Sequence, residues 1–139
     1  MGSPSDNVAK LKNAYGQWHD SKGGSVKAWL DFMADDVRVY SLAAGAPEAE
    51  FTAAVTSKKD FGRYFDGLLA DWEMINYKTV VFIAEGEAVA VRGSTAWRNR
   101  KTGRIVDTPK ADFWTFRDGK VVEFHEYYDT AALIAAARA

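Results

Sequence analysis

The sequence predicts an α+β fold in which three helices pack on one face of a curved, mostly antiparallel sheet and a further helix ends the chain. Two observations support this class. Apolar residues recur at helical spacing up to Trp72, and from Glu73 onward the spacing changes to two, which is typical of strands. The 139 residues contain no internal repeat and no linker, so we expect a single domain over residues 7–139.

Helix caps and apolar stripes predict the positions of the helices. They lie at about residues 7–20, 26–34, 58–72 and 129–139. Asp6 or Asn7 is the expected cap of the first, and residues 1–6 are expected to be disordered or left over from cloning. In the second helix, Met33 is the last buried position. The weakly patterned segment 43–57 predicts an irregular loop over one end of the domain, which can serve as a lid.

Alternating apolar and polar residues predict five strands. They lie at about residues 37–42, 74–84, 88–98, 104–116 and 120–128. Turns that contain Gly86, Gly103 and Gly119 separate the last four strands, which we therefore expect to form an antiparallel meander.

Composition excludes several classes of function. The 18 basic and 19 acidic residues give a net charge of -1 without a basic stripe, so nucleic acid is not an expected partner. No apolar run reaches the length of a membrane span and no signal-peptide pattern is present, so we expect a cytoplasmic protein without membrane contact. The chain has no Cys and only two His, which argues against thiol chemistry and against a metal centre. The aromatic content of 14% fits either a packed core or a cavity for an apolar ligand.

The last predicted hairpin places two carboxylates among aromatic residues. In its first strand Asp112 shares a face with Trp114, because strand residues two apart point the same way. In its second strand Glu126 shares a face with Phe124 and is the polar exception in an apolar row. Whether these two faces coincide depends on the turn, since loop length fixes the register of a hairpin.

Two turns are compatible with this hairpin. A two-residue turn at residues 118–119 pairs Asp112 with His125 and separates the two carboxylates. A three-residue loop pairs Asp112 with Phe124 and brings it to the face of Glu126. We favour the three-residue loop, because a register that splits an apolar face is costly.

A carboxyl group enclosed by aromatic rings suits acid–base chemistry. Burial disfavours the charged form, raises the pKa and lets the group act as a general acid or base. A structural role is the alternative: Lys110 lies on the same face and can neutralise Glu126, while Asp112 can lie at a rim and accept backbone hydrogen bonds. His125 is expected to face outward on the sheet.

Four segments of the chain resemble a known superfamily. They are ADDVRVYS at 34–41, SKKDFGRYF at 57–65, TGR at 102–104 and ADFWTFRDGKVVEFHEYYD at 111–129. In order and spacing they are similar to the NTF2-like superfamily, especially its SnoaL-like and ketosteroid-isomerase-like branch, over nearly the whole chain. The resemblance implies a cone-shaped, cystatin-like α+β barrel with an apolar pocket at its open end, and homodimers formed through the outer face of the sheet.

The resemblance extends to the candidate site only in part. Asp112 stands where ketosteroid isomerases hold the protonated Asp of their oxyanion hole, but Ser41 stands where they hold the general base, so strict ketosteroid isomerisation is not expected. Glu126 lies near the position of an acidic catalytic residue in SnoaL-type polyketide cyclases and in relatives of limonene-epoxide hydrolase. Gly93 and Thr95 stand in place of the Arg and Asp of epoxide hydrolases, which argues against epoxide hydrolysis.

These observations lead to a functional hypothesis. We expect a cofactor-free acid–base enzyme of cyclase, isomerase or dehydratase type for a small apolar carbonyl compound, such as a polyketide-like or steroid-like ketone. Glu126 is the expected base and Asp112 the acid or oxyanion partner, without a metal. The residues expected to bind substrate are Tyr15, Trp18, Ser41, Tyr64, Phe65, Trp97, Trp114, Phe124 and Tyr128. The alternative is a non-catalytic domain of the same fold that binds an apolar ligand or dimerises.

Overall fold

The computed structural model describes residues 3–138 and confirms the α+β class. The helices are α1 (Pro4–Asp20), α2 (Val26–Leu30), α3 (Lys58–Asp71) and α4 (Thr130–Ala137), with a 3-10 helix at Pro47–Thr52. The strands are β1 (Met33–Ser41), β2 (Trp72–Glu85), β3 (Ala88–Asn99), β4 (Ile105–Arg117) and β5 (Lys120–Tyr128). No helix in the described range has the length and apolar character that a membrane crossing requires.

The five strands form one curved, open sheet in the order β1-β5-β4-β3-β2. Neighbouring strands are antiparallel except for β1 and β5, which pair in parallel at one edge. Irregular pairing interrupts β2 twice, just before Asn76 and just before Val81. Near the second interruption lies Gly93 of β3, where a Cβ atom would come within 1.9 Å of the Lys78 carbonyl oxygen. Bulges and such a close approach of two strands bend a sheet, which accounts for its curvature.

Helix α1 begins earlier than predicted. The Ser3 hydroxyl accepts a hydrogen bond from the Asp6 N–H at 3.1 Å, and the Asp6 carboxylate accepts the Ser3 N–H at 3.3 Å. Pro4 occupies the first helical position, where its missing N–H has no cost. Asp6 is therefore the third residue of the helix and not its cap. Of the stretch predicted to be disordered, Met1 and Gly2 lie outside the described residues.

Helix α2 is shorter than predicted, and Met33 is the first residue of β1 rather than a helical position. The Val121 N–H donates to the Phe32 carbonyl oxygen at 2.9 Å, and Met33 pairs with Val121. A helix of five residues has little stability of its own, so pairing with β5 decides the structure at this point.

The segment predicted as an irregular loop contains the 3-10 helix and a further contact with the sheet. Val55 exchanges backbone hydrogen bonds with Val39 of β1 at 3.0 and 3.3 Å. Helix α3 then begins where it was predicted, and Ser57 caps it, because its hydroxyl accepts the Asp60 N–H at 3.1 Å. At the other end of the segment the Ala43 N–H donates to the Tyr128 hydroxyl oxygen at 3.2 Å, so both ends are held against the domain.

Candidate functional site

The turn of the β4–β5 hairpin is the two-residue turn at residues 118–119, and the three-residue loop favoured from the sequence is wrong. Asp118 and Gly119 have positive φ angles of 53° and 77°, the geometry of a two-residue type I′ turn. The register then shifts by one residue, because β5 leaves Val122 unpaired between Val121 and Glu123.

As a consequence, Asp112 pairs directly with Glu126. The predicted pairings of Asp112 with Phe124 or with His125 are both wrong, because no sequence feature marks the bulge in β5. The bulge nevertheless brings both carboxylates to the same inner face. Both are buried, with exposed fractions of 2% and 3%.

Lys110 bridges the two carboxylates. Its Nζ atom lies 2.5 Å from Asp112 Oδ1 and 3.0 Å from Glu126 Oε1. The Lys110 side chain is 11% exposed, so this ion cluster lies inside the protein and not at its surface. The neutralising contact that the sequence left open for Lys110 is present, and it extends to both carboxylates.

Three tyrosines complete the cluster of Lys110, Asp112 and Glu126. Tyr15 and Tyr77 donate to Asp112 Oδ2 at 2.5 and 2.9 Å, and Tyr64 donates to Glu126 Oε2 at 2.6 Å. Each of the four carboxylate oxygens therefore has a hydroxyl donor or an ammonium within 3.0 Å. Partners of this kind are what allow charged groups to be buried.

The tyrosines reach the cluster from three different elements. Tyr15 belongs to α1, Tyr64 to α3 and Tyr77 to β2. Trp114 Nε1 donates to the Tyr15 hydroxyl oxygen at 2.9 Å, which leaves the Tyr15 proton for Asp112. The cluster thus ties two helices to the inner face of the sheet.

Burial and mutual charge decide the protonation of the cluster. Burial raises the pKa of Asp112, and the Lys110 ammonium offsets this only in part. Burial lowers the pKa of Lys110, but the charges of Asp112 and Glu126 outweigh it and hold that pKa well above its ordinary value. Burial also raises the pKa of Tyr15, Tyr64 and Tyr77 well above the ordinary range. The lysine is therefore charged, the tyrosines are neutral, and Asp112 takes up a proton more readily than an exposed aspartate does.

The cluster forms part of the wall of an aromatic cavity with a volume of about 80 Å³. The 3-10 helix contributes Phe51 to this wall and α4 contributes Leu133. For comparison, an engineered cavity of about 150 Å³ in another protein holds benzene. The cavity as described has room for only a few non-hydrogen atoms, which is less than a steroid-like or polyketide-like ketone requires.

The structure brings together Asp112, Glu126 and most of the residues expected to bind substrate. Those that line the cavity are Tyr15, Trp18, Tyr64, Phe65, Trp97, Trp114, Phe124 and Tyr128. Ser41 is not in the cavity wall; its hydroxyl lies 2.6 Å from the Tyr128 hydroxyl. Burial raises the pKa of Tyr128 to about 12, so its hydroxyl is neutral.

Sequence reasoning missed several residues of the site. For Lys110 the sequence predicts the shared face and a neutralising contact with Glu126, but not the second contact, with Asp112. Tyr77 faces the cavity because the irregularity before Asn76 breaks the alternation of β2, and no pattern in the sequence predicts that break. Phe51 lies in a segment without periodicity, which offered no signal.

A curved, open sheet that carries a buried polar cluster in an aromatic cavity under helices agrees with the fold that the resemblance in sequence implies. The model of the SnoaL-like domain matches residues 18–124, and the chain therefore belongs to the SnoaL-like domain family. This confirms the superfamily and the branch that the sequence resembles. No curated protein matches the sequence.

Solved structures support the fold. An NTF2-like protein of unknown function from Burkholderia pseudomallei superposes with a TM-score of 0.80 at 20% identity, over 96% of this chain and 98% of that chain. An NTF2-like protein from Burkholderia xenovorans reaches 0.79 at 22% identity, over 99% of each chain. A protein from Jannaschia sp. CCS1, named as a candidate SnoaL-like polyketide cyclase, reaches 0.74 at 19% identity, over 96% of this chain and 92% of that chain. At these identities the likeness shows the fold alone.

Proposed function

We propose that this SnoaL-like protein is an acid–base enzyme that acts without a cofactor on a small, largely apolar carbonyl compound, by isomerisation, dehydration or cyclisation. One observation carries the proposal: Asp112 and Glu126 share a single cation, Lys110, in the wall of an aromatic cavity. The neighbour named as a candidate polyketide cyclase is compatible with this range of reactions.

The unequal number of charges is the feature that suits catalysis. Two carboxylates and one ammonium leave one acidic group without a cation of its own. In a low-dielectric interior such a group either carries a proton or depends on hydroxyl donors, which here are Tyr15, Tyr64 and Tyr77. Burial raises the pKa of Asp112, so this residue retains a proton at a higher pH than an exposed aspartate does. A proton held beside a ligand cavity is what general acid–base catalysis requires.

We assign Glu126 as the base. It removes a proton from the carbon next to the carbonyl group: the C–H bond breaks, an O–H bond forms on Glu126, and the electron pair moves through the carbonyl to its oxygen. The negative charge thus passes from Glu126 to the substrate, and the net charge of the cavity does not change. Because Lys110 lies 3.0 Å from Glu126, its ammonium is close enough to stabilise the new oxyanion.

Lys110 and Asp112 form the oxyanion side of the proposed site. With a pKa well above its ordinary value, Lys110 stays protonated and acts as a cation and hydrogen-bond donor, not as an amine nucleophile. Asp112 holds Lys110 at 2.5 Å and is the acid of the pair. Return of the proton from Glu126 to another carbon completes an isomerisation. In a dehydration the C–O bond of a β-hydroxyl group breaks, and the hydroxyl leaves as water with a proton from Asp112, which the proton on Glu126 then replaces. In a cyclisation the carbanion attacks a second carbonyl carbon, and the oxygen of that carbonyl takes up a proton from Asp112 that is replaced in the same way.

Deuterium exchange tests this function without knowledge of the natural reaction. Proton NMR in D₂O follows the loss of the hydrogens next to the carbonyl in acetone, butanone, cyclohexanone and 1-indanone. We expect the protein to accelerate exchange in at least one of them, and Glu126→Gln to lower that rate at least ~100-fold. Glu73→Gln, on an exposed residue of β2, is the matched control and retains the rate. Undiminished exchange in Glu126→Gln refutes the assignment of the base.

A non-catalytic ligand carrier is the second candidate. It is favoured by the contact of Lys110 with both carboxylates, because a buried ion cluster of this kind also occurs as a purely structural feature. A carrier binds its ligand equally well in the double variant Asp112→Asn, Glu126→Gln. It also accelerates no exchange, which separates it from the enzyme in the same NMR experiment.

We also propose that two copies associate through the outer face of the sheet. Phe113 and Tyr127 are 48% and 42% exposed there, with ring centroids 5.7 Å apart, and Tyr40 stacks on His125 at 4.6 Å. Exposed aromatic residues that adjoin one another are typical of interaction sites. Light scattering should give the mass of a dimer for the wild type and of a monomer for Phe113→Glu. A wild type that stays monomeric at high concentration contradicts this part of the proposal.

A further inference from the structure

One side chain in the wall of the cavity of about 80 Å³ comes from outside the four α-helices and the sheet. Phe51 belongs to the 3-10 helix Pro47–Thr52 and lines the cavity together with the ring of Tyr64, at a centroid distance of 5.3 Å. We propose that Phe51 is the specificity-determining residue of the site and restricts the ligand to short carbonyl compounds of about three to five non-hydrogen atoms. The assignment of the ligand as a carbonyl compound rests on the proposed function, whereas the limit on its size does not.

Phe51 occupies a niche that only glycine leaves open. A Cβ atom at Gly67 of α3 would lie 2.7 Å from the Phe51 Cβ atom, so any side chain at position 67 displaces Phe51. The absence of a side chain at this position of α3 therefore lets the segment approach the helix closely enough for its ring to reach the cavity.

Hydrogen bonds hold the segment that carries Phe51 in place. The Thr52 hydroxyl donates to the Ala49 carbonyl oxygen at 2.5 Å and accepts the Gly45 N–H at 2.9 Å. At its other end, Glu48 accepts a hydrogen bond from Arg138 Nε at 2.8 Å. Thr52 is buried, so its hydrogen bonds are shielded from water and fix the backbone next to Phe51.

The position of Phe51 also bears on the candidate base. The Tyr64 ring that Phe51 contacts donates its hydroxyl proton to Glu126 at 2.6 Å. A ligand large enough to displace Phe51 therefore disturbs the tyrosine that orients Glu126. Size selection and orientation of the base thus depend on the same contact.

Ligand binding by variants of Phe51 tests the proposal without reference to catalysis. The probes are butanone, cyclohexanone and 1-indanone, and saturation-transfer NMR gives their affinities. We expect the wild type to bind butanone and to bind 1-indanone at least ~10-fold more weakly, and Phe51→Ala to gain at least ~10-fold for 1-indanone. Phe51→Leu, which keeps an apolar residue in the niche, should give an intermediate gain. Ile83→Ala, at an exposed position of β2 outside the cavity wall, is the control and should leave the size profile unchanged.

The possible outcomes separate this inference from the proposed function. Wild-type protein that binds 1-indanone as tightly as butanone, or a Phe51→Ala variant with an unchanged size profile, overturns the role of Phe51. Absence of deuterium exchange with an intact size limit refutes the enzyme and leaves Phe51 as the selector of a carrier. Circular dichroism of each variant ensures that a changed profile does not come from unfolding.

Discussion

Two ion pairs in this protein have similar distances between their charged atoms but lie in different surroundings. Inside the cavity wall, Lys110 lies 3.0 Å from Glu126, with exposed side-chain fractions of 11% and 4%. On the sheet surface, Arg98 of β3 lies 2.9 Å from Glu73 of β2, with exposed fractions of 44% and 49%. The contact distance is nearly the same, and what differs is the access of water to the charges.

The comparison shows that the contribution of an ion pair to stability depends on what solvates the remaining charge when one partner is removed. At the surface water replaces the lost partner, and such pairs contribute about 0–1 kcal/mol. Inside, the cluster is shielded from bulk water, so removal of one partner leaves a charge that the interior solvates poorly. The buried cluster is therefore sensitive to any change in its composition, and the predictions below measure this sensitivity in decreasing order.

Replacement of Lys110 should give the largest effect. Lys110→Met keeps the length of the side chain and leaves Asp112 and Glu126 facing each other without a cation. We expect a loss of about 3–5 kcal/mol in the free energy of unfolding, measured by urea denaturation at neutral pH. A loss below about 1 kcal/mol means that water reaches the cluster and that its burial does not govern its energetics.

A triple variant sharpens this result. Lys110→Met, Asp112→Asn, Glu126→Gln removes all three charges, so no uncompensated charge remains in the interior. The triple variant should recover a substantial part of the stability that Lys110→Met loses, because replacing every partner of a buried pair is often close to neutral. If it is less stable than the single variant, packing of the lysine stem and not charge explains the loss.

Alkaline pH should lower the free energy of unfolding through the ionisable groups of the same cluster. The pKa values of Tyr15, Tyr64 and Tyr77 are raised well above the ordinary 10.0 and that of Lys110 well above 10.5. Above these ordinary values the unfolded chain loses protons that the folded protein keeps, so stability falls as pH rises. The expected slope is about 1.4 kcal/mol per pH unit for each retained proton, measured by urea denaturation at a series of alkaline pH values. Tyr40→Phe, on the exposed outer face, should leave the slope unchanged.

Much of the fold follows from sequence patterns that act locally. The start of α3, the four meander strands and the change of period at Trp72 all depend on a few neighbouring residues, and all were predicted to within a few positions. The prediction that Met33 is helical is wrong because this residue pairs with Val121 of β5, which lies far away in the sequence. Local propensity has no access to such a partner.

The candidate site was predictable only where the alternation of strand residues is unbroken. Asp112 and Lys110 lie on one face of β4 by simple parity, and this part of the site is readable from the sequence. The pairing of Asp112 with Glu126 depends on the bulge at Val122. The side chain of Tyr77 faces the cavity because of a second irregularity, in β2. Bulges arise from the packing of the whole sheet, so the position of a residue beyond one is not readable from its own strand.

Asn7 offers a polar group that is buried without the partners that the cluster has. It is 1% exposed, and neither atom of its amide has a hydrogen-bond partner among residues 3–138. Since an unpaired buried polar group is costly, Asn7→Leu should raise the free energy of unfolding by about 1 kcal/mol in urea denaturation. Asn13→Leu, on the exposed side of the same helix, controls for the higher helix propensity of Leu and should gain less. Equal gains in the two variants show that propensity alone is responsible.

We expect the smallest change in stability for the exposed pair of Arg98 and Glu73. This measurement tests whether burial explains the difference between the two ion pairs. Glu73→Gln removes the charge that Arg98 contacts at 2.9 Å, while water remains to solvate the guanidinium. The free energy of unfolding should therefore fall by less than about 1 kcal/mol, and added salt should shrink the difference further, since exposed charges are screened. A loss as large as that of Lys110→Met, unaffected by salt, implies that the geometry of an ion pair matters more than its solvent. Burial then does not make the cluster more sensitive to substitution than a surface pair, and only the raised pKa of Asp112 supports an acid–base role.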